Sequence, residues 1–95
     1  MTVTYDFSNK VISITGAGSG FGRLAARKFA TAGARLMLSD VNFEALQDVT
    51  NELGTDSVLA VECDVSDAMQ VASMFNKAAE RFGGIDIAVN NAGII

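Results

Sequence analysis

Apolar residues along the chain alternate between short continuous runs and longer stretches in which they recur at helical spacing. The continuous runs are rich in β-branched residues, which favours buried strands. They predict strands over Lys10–Thr15, Arg35–Asp40 and Ser57–Asp64, and a fourth strand that begins at Ile85. Strands without a polar face are typical of a parallel sheet that is covered by helices on both sides.

The stretches between the strands carry apolar residues at every third or fourth position, which predicts amphipathic helices. The first helix is expected over Gly20–Ala32, where Gly33 supplies a C-terminal stop. Asn42 is the expected N-cap of the second helix, which ends at Gly54. Each of these helices connects two consecutive predicted strands.

The third helix is expected to start after a Ser66 cap and to end at the glycine pair Gly83-Gly84. The side chains expected to face the sheet are those of Ala68, Val71, Ala72, Phe75, Ala79 and Phe82. The resulting order of elements is β-α-β-α-β-α-β. Because crossovers between parallel strands are right-handed, this order predicts an α/β fold: the first half of a Rossmann-type doubly wound sheet, with strand order 3-2-1-4.

The segment TGAGSGFG, residues 15–22, joins the first strand to the first helix and contains four glycines. Ligands of doubly wound sheets bind beyond the carboxyl ends of the strands, where the strand order reverses. The free N–H groups at a helix N-terminus suit a phosphate, and glycines let the phosphate approach the backbone. A tight turn without a ligand would need a single glycine, so the segment indicates a phosphate-binding loop.

The spacing of the glycines distinguishes among phosphate-binding loops. A P-loop requires Gly-Lys-Ser/Thr, but Gly22 is followed by Arg23. The pattern Gly-x-Gly-x-x-Gly also fails, because its last glycine would fall on Phe21 or Arg23. The spacing that fits is Thr-Gly-x-x-x-Gly-x-Gly. Together with the segment NNAG at residues 90–93, it resembles the short-chain dehydrogenase/reductase family over about residues 10–95.

The resemblance implies an NAD-binding site made of residues from the ends of all four strands. Its cofactor-binding residues are expected to be Gly16, Ser19, Gly20, Phe21, Gly22, Asp40, Asp64, Val65, Asn91, Ala92 and Gly93. The resemblance implies that the glycine loop, with the Ser19 hydroxyl, holds the pyrophosphate. Phe21 stands where the family often has isoleucine, and its side chain can equally belong to the core of the first helix.

The other residues of that site divide between the adenosine and the sheet. The resemblance implies that Asp40 accepts hydrogen bonds from the ribose hydroxyls, and that Asp64 and Val65 contact the adenine. Both aspartates can also be ordinary turn residues at strand ends. Asn90 is expected to tie neighbouring strands together, and residues 91–93 are expected to form the backbone wall beside the ribose.

The resemblance also favours NAD over NADP, because Ser19 and Val41 stand where NADP-binding members tend to carry a basic residue. The implied function is an oxidoreductase that transfers hydride between nicotinamide and a secondary alcohol or ketone. The catalytic Tyr-x-x-x-Lys of the family is not found, since Tyr5 is the one tyrosine and Asn9 stands four positions later. We therefore expect residues 1–95 to be the N-terminal, cofactor-binding portion of a single Rossmann domain, inactive alone. The alternative is a non-catalytic nucleotide-binding module.

Composition narrows the expected partners and compartment. The net charge of −4, without a basic patch, argues against nucleic-acid binding. No apolar segment approaches the roughly 20 residues that span a bilayer, and no signal-peptide core precedes the first strand, so a cytoplasmic protein is expected. Histidine is absent and Cys63 is the one cysteine, so no metal site is expected. The resemblance implies a small-molecule substrate and, for the complete protein, a homo-oligomer.

Overall fold

The computed structural model describes residues 6–91, and the strands of this range form one four-stranded parallel sheet. The strands are β1 Val11–Thr15, β2 Arg35–Asp40, β3 Val58–Glu62 and β4 Ile87–Asn90. Their order across the sheet is β3-β2-β1-β4, which confirms the predicted 3-2-1-4 arrangement. β1 therefore pairs with a neighbour on each side, and the strand order reverses between β1 and β4.

Three helices connect the strands: α1 Gly20–Thr31, α2 Phe43–Leu53 and α3 Ala68–Phe82. The predicted ends of the elements lie within two residues of the observed ends, and those of β2 coincide with them. The fourth strand begins two residues after Ile85. The residue just before this strand, Asp86, contacts the start of β1. Its N–H donates to the carbonyl of Val11 at 2.8 Å, and its Oδ2 accepts the N–H of Val11 at 2.8 Å.

α1 and α2 pack on one face of the sheet and cover the side chains of its central strands. The buried core of this face includes Ile12, Ile14, Ala26, Leu36, Leu38, Leu46 and Val49. Phe7 and Phe29 pack against this core, edge to face, with their ring centroids 5.3 Å apart. The residues of β1 and β2 that face these helices are aliphatic. This face of the sheet is therefore covered, as predicted.

α3 packs on the opposite face through a narrower contact than its sequence predicts. Its buried residues are Met74 and Ala78, which share a core cluster with Met37, Val61 and Cys63. Of the side chains expected to face the sheet, two are partly buried and four are exposed: Val71 and Phe82, then Ala68, Ala72, Phe75 and Ala79. The expectation holds for Val71, which packs against this cluster. It is wrong for the four exposed residues, because helical spacing identifies an apolar stripe but not the flank of the stripe that the sheet covers.

The N-terminus of α3 also differs from the predicted Ser66 cap. Asp67 is the N-cap, and its Oδ1 accepts the N–H groups of Met69 and Gln70. Ser66 instead donates its hydroxyl and its N–H to the carboxylate of Asp64. The cap lies one residue later than predicted because the turn at Asp64 already engages Ser66.

Two methionines of α3 offer a matched test of which flank of this helix is buried. Met74 is 1% exposed, whereas Met69 is 83% exposed. Met74→Ala should lower the free energy of unfolding by about 2–5 kcal/mol, because it removes buried atoms and leaves a cavity. Met69→Ala should change it by less than about 0.5 kcal/mol. Urea unfolding followed by circular dichroism measures both values, and equal losses would contradict the described packing.

Candidate functional site

A cleft of about 330 Å³ opens at the edge of the sheet where the parallel strands end. Its lining residues come from four separate segments: Gly16, Ser19, Ser39, Asp40, Val41, Cys63, Asp64, Val65 and Asn91. Six of these are predicted site residues, namely Gly16, Ser19, Asp40, Asp64, Val65 and Asn91. They meet because the carboxyl ends of all four strands lie at the same edge of a parallel sheet.

Two positions of the glycine loop require glycine, one because of its backbone angle and the other because of a close contact. Gly20, the first residue of α1, has a φ of +57°, in the left-handed region that favours glycine. Gly22 has no room for a side chain, because a Cβ there would lie 2.2 Å from the carbonyl oxygen of Gly16 and 2.7 Å from Nδ2 of Asn91. The first turn of α1 therefore rests directly on the end of β1.

The start of α1 has the properties of an anion-binding site. Ser19 is the N-cap, but its hydroxyl makes no capping hydrogen bond to any described residue, and the first turn carries no acidic side chain. Ser19 is exposed and lines the cleft. Free N–H groups and the helix dipole give this end of α1 a partial positive charge, which favours an anion such as a phosphate.

Asp40 ends β2 and contacts both the following turn and the glycine loop. Its Oδ1 accepts the N–H of Asn42 at 3.0 Å, and its Oδ2 accepts the N–H of Gly18 at 2.9 Å. The bond to Asn42 is the one expected of an ordinary turn residue, which is the alternative role that the sequence allows for Asp40. The carboxylate keeps further acceptor capacity, since its two oxygens together offer about four lone-pair directions.

Asp64 is the second acidic residue of the cleft and follows β3. Its Oδ1 accepts the hydroxyl of Ser66 at 2.7 Å and the N–H of Ser66 at 2.9 Å. These two bonds, the hydroxyl first, lower the pKa of the Asp64 carboxyl below its usual value. The N–H of Asp64 donates to Oε1 of Gln70 at 2.9 Å. Asp64 is therefore an ionised acceptor of defined orientation, next to Val65 in the cleft wall.

Asn91 ties the end of β4 to the glycine loop. Its Nδ2 donates to the carbonyl of Gly16 at 3.3 Å, and its N–H donates to Oγ1 of Thr15 at 2.9 Å. The sequence assigns a tie between strands to Asn90, whereas these contacts belong to Asn91. The sequence cannot show which of two adjacent asparagines makes this contact, because that depends on the direction of each side chain in the folded sheet.

Besides Val41, the cleft contains two further residues that are not among the predicted site residues, Ser39 and Cys63. Both are buried, and Oγ of Ser39 has no hydrogen-bond partner among the described residues. Burial, and then the charges of Asp64 and Asp67, raise the pKa of the Cys63 thiol. A sequence signal for both residues exists, since each directly precedes a predicted site aspartate at the end of a strand.

The remaining predicted site residues lie beside the cleft or outside the described range. Gly20, Phe21 and Gly22 form the first turn of α1. Phe21 is 67% exposed, so the interpretation of its side chain as part of the helix core is wrong. Ala92 and Gly93 lie outside the described residues.

Two other classes of site are not found between residues 6 and 91. This range contains no group of three or more His, Cys, Asp and Glu side chains that could hold a metal ion. None of its helices has both the length and the apolar character that crossing a membrane requires. The chemistry that the cleft does offer is a set of backbone N–H groups at one end and two carboxylates along its side.

Similarity to known proteins extends over nearly the whole chain. A family model described as short chain dehydrogenase matches residues 10–95. Meso-2,3-butanediol dehydrogenase of Serratia marcescens is 47% identical over 88 residues, which cover 93% of this chain and 35% of that protein. The chain thus spans about a third of the length of this relative.

Two solved structures share the fold at substantial sequence identity. A short-chain dehydrogenase/reductase from Brucella melitensis, described as a glucose/ribitol dehydrogenase, has a TM-score of 0.93 at 36% identity, over 98% of this chain and 38% of that one. A 3-ketoacyl-(acyl-carrier-protein) reductase from the same bacterium, solved with NADH, has a TM-score of 0.89 at 43% identity, over 94% and 36% of the two chains.

Proposed function

The chain belongs to the short-chain dehydrogenase family, and we propose that it is the NAD-binding portion of an oxidoreductase. The proposed reaction is hydride transfer between nicotinamide and a secondary alcohol or ketone. The observation that carries the proposal is the cleft at the strand ends, which combines the glycine loop with two carboxylates. The NADH bound to the related reductase from Brucella melitensis supports a nicotinamide cofactor.

The residues around the cleft fit the parts of a dinucleotide. The N–H groups at the start of α1, with Gly16 and Ser19 beside them, suit the pyrophosphate. Asp40 has the acceptor capacity that ribose hydroxyls need, and Asp64 with Val65 forms a wall suited to adenine. When bound, NAD supplies the carbon that accepts the hydride. The contribution of this chain is to bind and orient the cofactor.

The charges near the cleft support NAD over NADP. A 2′-phosphate at Asp40 would meet a carboxylate, and Val41, the next residue, is not basic. The two arginines nearest in sequence to the glycine loop are engaged with Glu52 on α2. Arg27 Nη2 donates to its carboxylate at 2.8 Å, and Arg23 Nη2 lies 3.6 Å from the same carboxylate.

Catalysis in this proposal depends on residues that the chain of 95 residues does not include. The family's acid/base tyrosine and its lysine form Tyr-x-x-x-Lys, and neither Tyr5 nor any other residue of the chain fits that pattern. We infer that the chain is the N-terminal portion of a single Rossmann domain. The second candidate, a nucleotide-binding module without catalysis, is favoured by this same lack of the motif. A test for turnover by the full-length protein separates the two.

We also propose the setting in which the complete protein works. Its substrate is a small alcohol or ketone, and it assembles as a homo-oligomer in the cytoplasm. It has no nucleic-acid or membrane partners. The free, buried thiol of Cys63 supports a reducing compartment. The net charge of −4 disfavours binding to a phosphate backbone.

Cofactor preference should depend on Asp40. The full-length protein should prefer NAD over NADP on the order of tens- to hundreds-fold in kcat/KM, since a hydrogen bond to a charged acceptor contributes about 1.5–3 kcal/mol. Asp40→Ser should lower this ratio, and adding Val41→Arg should lower it further, because a guanidinium pairs with the phosphate. The ratio is measured for the parent and both variants. A parent that favours NADP would contradict the assignment of NAD.

The glycine loop can be tested with two glycines that both have a positive φ. Gly20 and Gly54 both have positive φ, +57° and +95°, and a Cβ at either would meet nothing within 4 Å. Both Gly20→Val and Gly54→Val should therefore cost stability through backbone strain. Only Gly20→Val should abolish NAD binding, because only Gly20 lies beside the cleft. The affinity for NAD is measured by calorimetric titration of the folded full-length variants. Equal affinities of the two variants would mean that the loop is a turn without a ligand.

The 95-residue chain alone should reduce no ketone and oxidise no alcohol, because it lacks Tyr-x-x-x-Lys. The purified chain is incubated with NAD and a panel of secondary alcohols, and the absorbance of the reduced cofactor is followed. Circular dichroism first establishes that the chain is folded. Turnover above the blank would show that the chain by itself is sufficient for catalysis.

A further inference from the structure

One glycine of the loop is not part of the family pattern, and its backbone has a specific partner. Gly18 stands at an unspecified position of Thr-Gly-x-x-x-Gly-x-Gly. Its N–H donates to Oδ2 of Asp40, 22 residues later, at 2.9 Å. A Cβ at Gly18 would lie 2.9 Å from that oxygen and 2.9 Å from Cβ of Ala45. The lack of a side chain at Gly18 therefore leaves the space through which the carboxylate reaches the loop.

The amide of Gly18 needs this partner because the residue is buried. A buried N–H that loses its acceptor carries a penalty that water does not offset. The neighbouring amide, that of Ala17, donates to the carbonyl of Ser39 at 3.0 Å, so consecutive amides of the loop are both bound to the end of β2. Of these two contacts, only the one to Asp40 depends on a side chain.

We propose that Asp40 is a positioning residue for the glycine loop, in addition to its role toward the ribose in the proposed function on which this inference rests. Its carboxylate bridges the Gly18 and Asn42 amides and so holds the loop in the conformation that receives the pyrophosphate. Asparagine cannot substitute, because it has one acceptor oxygen for two N–H donors and its own NH₂ would face the other. Changes at Asp40 therefore weaken pyrophosphate binding even when no ribose hydroxyl is present.

The two roles separate with a nucleotide that lacks the ribose hydroxyls. Binding of ADP and of 2′,3′-dideoxyadenosine 5′-diphosphate to the full-length protein is measured by calorimetry. Asp40→Asn should lower the affinity for the dideoxy nucleotide roughly fivefold or more, because the contact between the carboxylate and the loop is lost. Asp48→Asn removes the same charge from an exposed site on α2 and should leave both affinities unchanged.

The opposite result is distinct, because removal of a negative charge near a diphosphate by itself strengthens binding. If Asp40 contacts only the ribose, Asp40→Asn lowers the affinity for ADP. The affinity for the dideoxy nucleotide then stays the same or rises. That outcome overturns the positioning role and leaves the proposed function intact. If the parent protein binds neither nucleotide, the proposed function fails, and the role of Asp40 toward a pyrophosphate fails with it.

Hydrogen exchange tests the loop contact without any ligand. In folded Asp40→Ala, whose side chain has no acceptor oxygen, the Gly18 amide should exchange at least about tenfold faster than in the parent, since it has lost its acceptor. The amides of β1 should keep their protection, which separates a local effect from global destabilisation. Unchanged protection of the Gly18 amide would overturn the inference whatever the nucleotide measurements show.

Discussion

The structure depends on how closely α1 approaches the end of β1. A Cβ at Gly22 would lie 2.2 Å from the carbonyl oxygen of Gly16, so any other residue would push the helix away from the sheet. This contact sets the start of α1 at the edge where the parallel strands end. The N–H groups of its first turn then share one cleft with the residues that follow β2, β3 and β4.

The loop between β1 and α1 is held from both sides because β1 is central in the sheet. On the β4 side, Nδ2 of Asn91 donates to the carbonyl of Gly16. On the β2 side, Asp40 accepts the N–H of Gly18. Both contacts require the order β3-β2-β1-β4, since another order would place one of these residues away from the loop. A loop ordered before its ligand arrives loses less conformational entropy on binding.

The two acidic residues of the cleft obtain their orientation in different ways. Asp64 is held by Ser66, two residues away, so its geometry comes from the local turn that precedes α3. Asp40 is held partly by Asn42 and partly by the distant amide of Gly18. A change in the loop therefore reaches Asp40 directly, whereas Asp64 depends on the start of α3.

The sequence by itself determined the order of the elements and the strand order, because periodicity, turn chemistry and crossover handedness are local or general constraints. The glycine spacing and the segment NNAG carried the resemblance to the family, which the family model confirms. The sequence also identified six of the residues that line the cleft, since parallel strand ends must share one edge. Only the tertiary structure decided that Met74 and Ala78, which lie outside the predicted stripe, are the buried residues of α3. It likewise decided that Asn91 carries the tie to the loop and that Asp40 meets the amide of Gly18. These contacts join residues distant in the chain, and their side-chain directions are defined only after the strands have paired and the helices have packed.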